Sequence, residues 1–391
     1  RELRDRYIRY VVARYAGMHI TWQGVQEFEE YENGRTLLKE IGELLKKLDP
    51  YQHPRSTHTV ETSSPLYGDG WMDHILYQSS DDNVGAIEHQ LYAAPFVNSE
   101  FAYEDSGAGR THPHHVDTNE FRRRLWNSSM DGQYPYFGNT GTYGGGKSGV
   151  EPQYLDSPGA KQMTVWFDFF SRTRHWELEP YFDVDGGRAL ALERPRDEGV
   201  EGIEYIVYVE KAGPVEIVLP KHSYDIAWIN PIDGQVTKLK GFKAERWSGE
   251  PPSKDHDWVL HISREGRKEG LRSYKFESRA IVMQEVEQNP KRAPFEIASP
   301  ADDTLSISKP AAYEAKLTRE TRATRSMMYL WTAEVPGEEQ SVRVIGTGAK
   351  GAFRIPKRPG RVFPSTLAVR LYGMNANGKV YSVFRVWKLI E

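Results

Sequence analysis

Apolar side chains recur at helical spacing at the start of the chain, where Ile8, Val11, Val12 and Tyr15 share one face before Gly17 breaks the repeat. The apolar run 18–22 that follows predicts a strand. A second helix is predicted from Leu37, Leu38, Ile41, Leu44, Leu45 and Leu48. Its last turn holds Lys46 and Lys47, favourable at the negative end of the helix dipole, and Asp49-Pro50 stops it. Strand candidates at 54–58, 74–78, 95–99 and 133–137 come next, with helical stretches near 84–93 and 118–130 between the later ones. Strands that alternate with helices predict parallel βα units.

Beyond residue 160 the pattern changes twice. Met163, Trp166, Phe167 and Phe170 form a stripe on a helix over 160–172, read as core packing. Period two then takes over: Tyr205, Val207 and Val209 alternate with Ile206 and Tyr208, and Val215, Ile217 and Leu219 follow the turn Gly213-Pro214. With 226–229, a turn at 231–234 and 258–262, this predicts a β-sandwich ending near residue 280. Pro290, Pro294 and Pro300 lie in a polar stretch expected to be a linker over 281–300. The last unit, 301–391, closes on a hairpin in which Leu367, Val369 and Leu371 lead to Asn377-Gly378 and a return strand over 380–387, so an Ig-like β domain is expected.

The expected fold class is therefore α/β plus all-β, with boundaries at 1–155, 156–280, 281–300 and 301–391. The parallel part offers only five strands, whereas a closed (β/α)8 TIM barrel has eight strands and about 250 residues. It reads as the second half of such a barrel or as a smaller open sheet.

Charge and composition narrow the function. Fifty-one Lys and Arg against 55 Asp and Glu give a net charge of −4, so no basic stripe for phosphates is expected and nucleic acid is not an expected partner. The absence of cysteine removes disulfides, thiolate nucleophiles and cysteine-bound zinc. No run approaches the roughly 20 apolar residues of a membrane-spanning helix. The first residue is Arg1 rather than Met, so removal of a natural N-terminus is expected. Ten Trp and 22 Tyr suit stacking on sugar rings, and equally the filling of sandwich cores.

Three signals are set aside. His112, His114 and His115 have no helix or strand spacing that would converge them on a metal. The run 183–187 starts like a calcium loop, but its twelfth position would be Arg194 where Glu is required, so a β-turn is expected. The glycine-rich run 141–148 has phosphate-loop spacing, yet Gly149, Pro152 and Pro158 stand where a helix must open. Neither a metal nor a cofactor is expected.

Two acidic segments remain. One is 23–32, with Glu27 just past the strand 18–22; a solvated acidic loop is its competing reading. The other is 96–104, where Glu100 ends an apolar strand between Asn98 and Tyr103; an ion pair with Arg122 or Arg123 is the alternative. If 18–22 is the fourth strand of a barrel, Glu27 and Glu100 end strands four and seven, which face each other across the mouth. Two carboxylates so related are what retaining glycoside hydrolysis requires.

The order of blocks over residues 1–280 resembles the apiosidase-like glycoside hydrolases. The blocks are 7–16 leading to Thr21-Trp22, Gln26-Glu27-Phe28-Glu29, Asp49-Pro50-Tyr51, Thr57-His58, Gln78, Val97-Asn98-Ser99-Glu100, Tyr103-Glu104, Arg122-Arg123 with Trp126, and Tyr143-Gly144. Sandwich blocks follow at 205–209, Ala227-Trp228, Asp233-Gly234 and 257–260. The resemblance implies Glu27 as acid/base and Glu100 as nucleophile, with Trp22, Gln26, His58, Gln78, Asn98 and Tyr103 lining a sugar pocket. It implies a carbohydrate substrate and a secreted, periplasmic or cell-surface place of work. Gln26 stands where the family ordinarily has Asn. Half a barrel cannot close its own sheet edges, so the first strands are expected from another polypeptide or a cleaved N-terminal segment. The rival reading is a non-catalytic carbohydrate-binding or surface-adhesion protein.

Overall fold

The computed structural model describes all residues except 32, 80, 107–114, 137, 142–151, 273–285, 301–302, 337–341, 356–364 and 391. Contacts divide the chain into two units, residues 1–99 with 282–391 and residues 100–281.

In the first unit, helices α1 (Glu2–Tyr15) and α2 (Gly34–Leu48) bury Ile8, Val12 and Leu45 together with Ala16 and Trp22. The short strand β1 (Trp22–Gln23) runs parallel to β2 (Arg55–Ser56), with Trp22 opposite Arg55. A Cβ on Gly42 of α2 would lie 2.1 Å from Cδ2 of Trp71, so only glycine lets the helix approach that indole. The strand β3 (Ile75–Tyr77), helix α3 (Asp82–Leu91) and strand β4 (Phe96–Asn98) make a parallel βαβ turn, with Ile75 opposite Phe96. Ile75, Leu76 and Phe96 are buried, as strands covered on both faces require. The strands expected at 54–58, 74–78 and 95–99 shorten at both ends to two or three residues, and of the run 18–22 only Trp22 is in the ladder, with Gln23. His58 and Gln78 sit past the C-terminal ends of β2 and β3.

Glu88 of α3 is fully buried, and its carboxylate accepts from Thr62 Oγ1 at 2.8 Å, Ser64 Oγ at 2.7 Å and Tyr77 Oη at 2.7 Å. Burial raises its pKa from 4.5 to about 7 against the pull of those three hydroxyls, and Glu61 adds a like charge. A raised carboxyl pKa stabilises the folded state fully below the unfolded value and loses that contribution as pH rises through the folded one. Stability is therefore expected to fall by roughly 3 kcal/mol at most between the ordinary carboxyl range and neutrality. Urea midpoints across pH will test this, and Glu88→Gln should flatten the slope.

The second unit begins with α4 (Thr118–Met130), β5 (Gln133–Pro135) and α5 (Pro158–Phe170). Asp117 caps α4 by accepting the Glu120 N–H at 2.7 Å, and Ser157 caps α5 with Pro158 at its first position. Met163 and Trp166 pack against Phe101, Phe121 and Leu125. Phe167 departs from the expected core stripe: it is 62% exposed, beside a cavity of about 250 Å³ walled by Trp166, Phe170, His175 and Leu190.

Strands β6 (Glu179–Tyr181), β7 (Val184–Asp185), β8 (Arg188–Arg196), β9 (Gly199–Val209), β10 (Val215–Ile229), β11 (Val236–Lys238), β12 (Phe242–Gly249) and β13 (Trp258–Ser263) follow, then the helix α6 (Glu265–Arg272). The order β11-β10-β13-β9-β8-β6 is antiparallel throughout, and β7 and β12 pair with the first part of β10. An irregularity between Val218 and His222 lets β10 serve both layers. Between the layers lie Tyr205, Val207, Ile217, Trp228 and Leu260, the inward set that the period-two pattern predicts. The outer face of the sheet, with Ile206 and Tyr208, packs on Trp126 and Phe170 of the two helices. Gly186, with φ +83°, makes the turn expected in 183–187.

The chain then returns to the first unit. The proline-rich stretch 281–300, expected as a linker, carries the strand β14 (Phe295–Ser299), whose Phe295 is buried. Strands β15 (Thr304–Ser306), β16 (Ala311–Leu317), β17 (Met328–Glu334), β18 (Arg343–Thr347), β19 (Lys350–Phe353), β20 (Thr366–Met374) and β21 (Val380–Ile390) complete it. The sheets β14-β16-β19 and β15-β21-β20-β17-β18 share one core around Phe295, Tyr313, Trp331, Val369 and Trp387. Gly378, with φ +74°, closes the β20–β21 hairpin in the register expected from Asn377-Gly378. The helix α3 packs against β17 and β20. Among the described residues no helix is long and apolar enough to cross a membrane.

Candidate active site

The first unit carries the ends of β1 to β4. After β1 the chain turns sharply at Glu27, whose φ of 47° and ψ of 48° are left-handed. That conformation costs a residue with a side chain on the order of 1–3 kcal/mol, and such strain concentrates at functional sites. Two contacts hold it. The Glu27 N–H donates to the His58 carbonyl at 2.8 Å, and the next residue, Phe28, is buried with Leu38, Leu66 and Trp71.

Glu27 and Glu29 are distinguished by their partners. Glu29 Oε1 accepts the Val60 N–H at 3.3 Å. Burial, opposed by backbone hydrogen bonds and helped by the like charges of Glu27 and Glu30, raises its carboxyl pKa. Glu27 is half-buried, and its carboxylate makes no hydrogen bond among the described residues. Gln26, beside it, is exposed.

His58 is buried just past β2, Gln78 follows β3 and Asn98 ends β4. The Gln78 N–H donates to the Glu61 carbonyl at 2.8 Å, and Asn98 Nδ2 donates to the Ser79 carbonyl at 2.9 Å. These three are therefore fixed at strand ends, as the spacing predicts. Trp22 is not among them. Its ring lies in the core of α1 and α2, and its indole N–H donates to Asp49 Oδ2 at 2.9 Å. Burial would raise the Asp49 pKa, but the indole and the Tyr51 and His53 groups that bond it bring it down to about 2. The polar atom of Trp22 is engaged by Asp49, and its ring is part of the packing between the two helices.

Glu100 and Tyr103 open the second unit and are both half-buried. The loop that carries them is fixed by Glu104, which is fully buried. Its carboxylate accepts from Thr118 Oγ1 at 2.8 Å, Asn139 Nδ2 at 3.0 Å, Ser157 Oγ at 2.5 Å and Gly159 N at 2.7 Å. One side chain thus joins the Glu100 loop to the starts of α4 and α5 and to the loop after β5. The positive end of α5 also favours its charge. A Cβ on Gly159 would lie 2.6 Å from the Glu104 carboxyl carbon, so this contact needs glycine. Glu104→Gln puts an amide among four donors and is expected to destabilise by about 2–3 kcal/mol, measured by urea unfolding.

Of the remaining histidine and glycine signals, His112, His114 and 142–148 lie outside the described residues, while His115 Nδ1 sits 3.0 Å from the Ser106 carbonyl. The Glu104 clamp and an acidic group formed by Glu61 and Asp81 were not singled out by spacing. Glu104 was visible only as part of the segment 96–104.

Solved structures share this fold. A family 5 glycoside hydrolase from Bacteroides vulgatus ATCC 8482 matches with TM-score 0.56 and 17% identity, over 67% of this chain and 66% of its own. A structure described as a glycoside hydrolase matches with TM-score 0.55 and 16% identity, over 67% and 68%. A third, also from Bacteroides vulgatus, matches with TM-score 0.54 and 18% identity and is covered over only 55% of its length. The chain thus spans about two thirds or less of the length of these relatives, and the parallel strands with the antiparallel sheets give a partial glycoside hydrolase fold. Residues 1–177 match the family described as Apiosidase-like, catalytic domain. No curated protein matches the sequence.

Proposed function

We propose that the chain carries the second half of a (β/α)8 barrel and acts as a retaining glycoside hydrolase on a plant or microbial oligo- or polysaccharide. Glu27 serves as acid/base and Glu100 as nucleophile; Gln26, His58, Gln78, Asn98 and Tyr103 bind the sugar. The observation that supports this best is that, in a segment matching the apiosidase-like family, the loops after β1 and β4 each present a half-buried carboxylate. Glu27 protonates the leaving oxygen while Glu100 attacks the anomeric carbon, and Glu27 then removes a proton from the water that releases the sugar. The preceding barrel strands come from a polypeptide outside these 391 residues, and the protein works at the cell surface or beyond it.

The test is hydrolysis of 4-nitrophenyl glycosides by the chain, alone and together with such a segment, followed by proton NMR of the first product. The expected product keeps the anomeric configuration of the substrate. An inverted product refutes the nucleophile assignment. Oligosaccharide binding without turnover would replace catalysis by a carbohydrate-binding role.

A further inference from the structure

The cavity of about 250 Å³ beside Phe167 lies wholly within the unit of residues 100–281, and none of the candidate site residues lines it. Its walls come from the end of α4 and the start of β5, from α5 and the turn after it, and from Leu190 of β8. Aromatic rings make up much of them. The centroids of Trp166 and Phe170 are 5.3 Å apart, and Tyr134 meets His175 edge to face at 6.2 Å. Phe167, 62% exposed, stands where the cavity meets solvent.

The serine and indole groups of this wall are engaged. The Trp166 indole N–H donates to Ser129 Oγ at 2.9 Å, Ser129 Oγ donates to the Leu125 carbonyl at 2.9 Å, and Ser171 Oγ donates to the Asp168 carbonyl at 3.1 Å. His175 Nδ1 differs: it is buried and has no hydrogen-bond partner among the described residues. A polar atom left in that state costs free energy, which a ligand group that bonds it recovers. Burial lowers the His175 pKa, and the nearby Phe170 backbone opposes this only in part, so the imidazole is neutral at neutral pH.

We propose that this cavity is a binding site for a neutral monocyclic phenol, which sets its ring against Trp166, Phe167 and Phe170 and its hydroxyl on His175 Nδ1. The site is independent of the glycosidase reading above. Size, lining and the single open nitrogen each narrow the ligand. An apolar cavity of about 150 Å³ takes benzene, so this one has room for a substituted ring. Aromatic walls favour an aromatic guest, which they meet by stacking or edge to face. A neutral imidazole offers one donor and one acceptor, and a hydroxyl answers either, whereas a carboxylate cannot donate and loses its hydration in an apolar wall. A sugar, with a hydroxyl on nearly every carbon, would leave most of them unbonded here.

The full chain is titrated calorimetrically with 4-methylphenol, toluene and benzoate, alone and together with a segment that completes the parallel strands. Methyl-labelled leucine locates the bound ring through nuclear Overhauser contacts to Leu178 and Leu190, which both line the cavity. The expected result is saturable binding of 4-methylphenol at a single site with a dissociation constant of about 0.1–1 mM, the range open to so small a ligand. Toluene, which leaves the imidazole nitrogen unbonded, binds about threefold to tenfold more weakly. Benzoate binds more weakly than 4-methylphenol as well, and His175→Phe removes or reverses the preference for 4-methylphenol over toluene.

Toluene or benzoate bound by the wild type as tightly as 4-methylphenol overturns the phenol assignment, a comparison that requires no variant to fold. An unchanged preference in His175→Phe overturns the role of the nitrogen. No saturation by 4-methylphenol, or contacts only to leucines elsewhere, overturns the site itself. Binding that is lost when the completing segment is present overturns it too, because a side chain of that polypeptide then fills the cavity.

Discussion

Glu100→Gln is expected to lower kcat by about 10⁴-fold or more while leaving the protein folded. The magnitude follows from chemistry: an amide cannot form the glycosyl-enzyme bond, and no other carboxylate on that loop can take its place. Glu104 is the next acid along the loop, yet its oxygens are filled by Thr118, Asn139, Ser157 and Gly159. Asp105, the remaining acid nearby, is exposed. Formation of a glycosyl azide of inverted configuration by Glu100→Ala in the presence of azide would establish the nucleophile. Azide rescue of Glu27→Ala and not of Glu100→Ala would mean that the nucleophile lies elsewhere.

The largest effect on folding is expected at Asp257, where replacement by alanine should cost about 3–5 kcal/mol. Asp257 and Arg122 are both buried, and Arg122 Nε lies 3.0 Å from Asp257 Oδ2. Tyr208 Oη also donates to Asp257 Oδ2 at 2.9 Å, and burial followed by the Asp257 charge pushes the Tyr208 pKa well up. Removing the aspartate leaves a guanidinium in the interior with Asn119 and Gln162 as its remaining partners among the described residues. Replacing Arg122 and Asp257 together by methionine and leucine should recover most of the loss, because the penalty arises from the stranded charge and not from the missing bond. Chemical denaturation of the two variants beside the wild type decides between the two accounts.

Much of the fold was legible in the pattern of apolar positions. Helix α4 falls where a helical stretch was expected over 118–130, and it turns Phe121 and Leu125 toward the core. The hairpin of β20 and β21 was readable because alternation on both sides of Asn377-Gly378 leaves one register that buries Leu367, Val369 and Leu371. Strand β14 was not, because Pro294 and Pro300 bracket it and Phe295 is its one fully buried side chain, with Ile297 packed beside it.

At the site, Glu27, His58, Gln78 and Asn98 could be placed at strand ends from spacing. Trp22 could not be placed, because period two gives alternate faces without saying which one meets the helices. Glu104 was hidden for another reason: its partners lie between 14 and 55 residues away, and no local pattern reports on them.

The clamp around Glu104 also shapes how this loop can change. Ser157 and Gly159 touch the same carboxylate as Thr118 and Asn139, so the four positions are not free to drift one at a time. A methyl group at residue 159 becomes admissible once residue 104 is shortened to aspartate, and the shorter acid is itself tolerated better when that methyl fills the space left. Substitutions here should therefore spread through a lineage as linked pairs, leaving the segment bearing Glu100 slow to diverge even where its neighbours on the surface change freely.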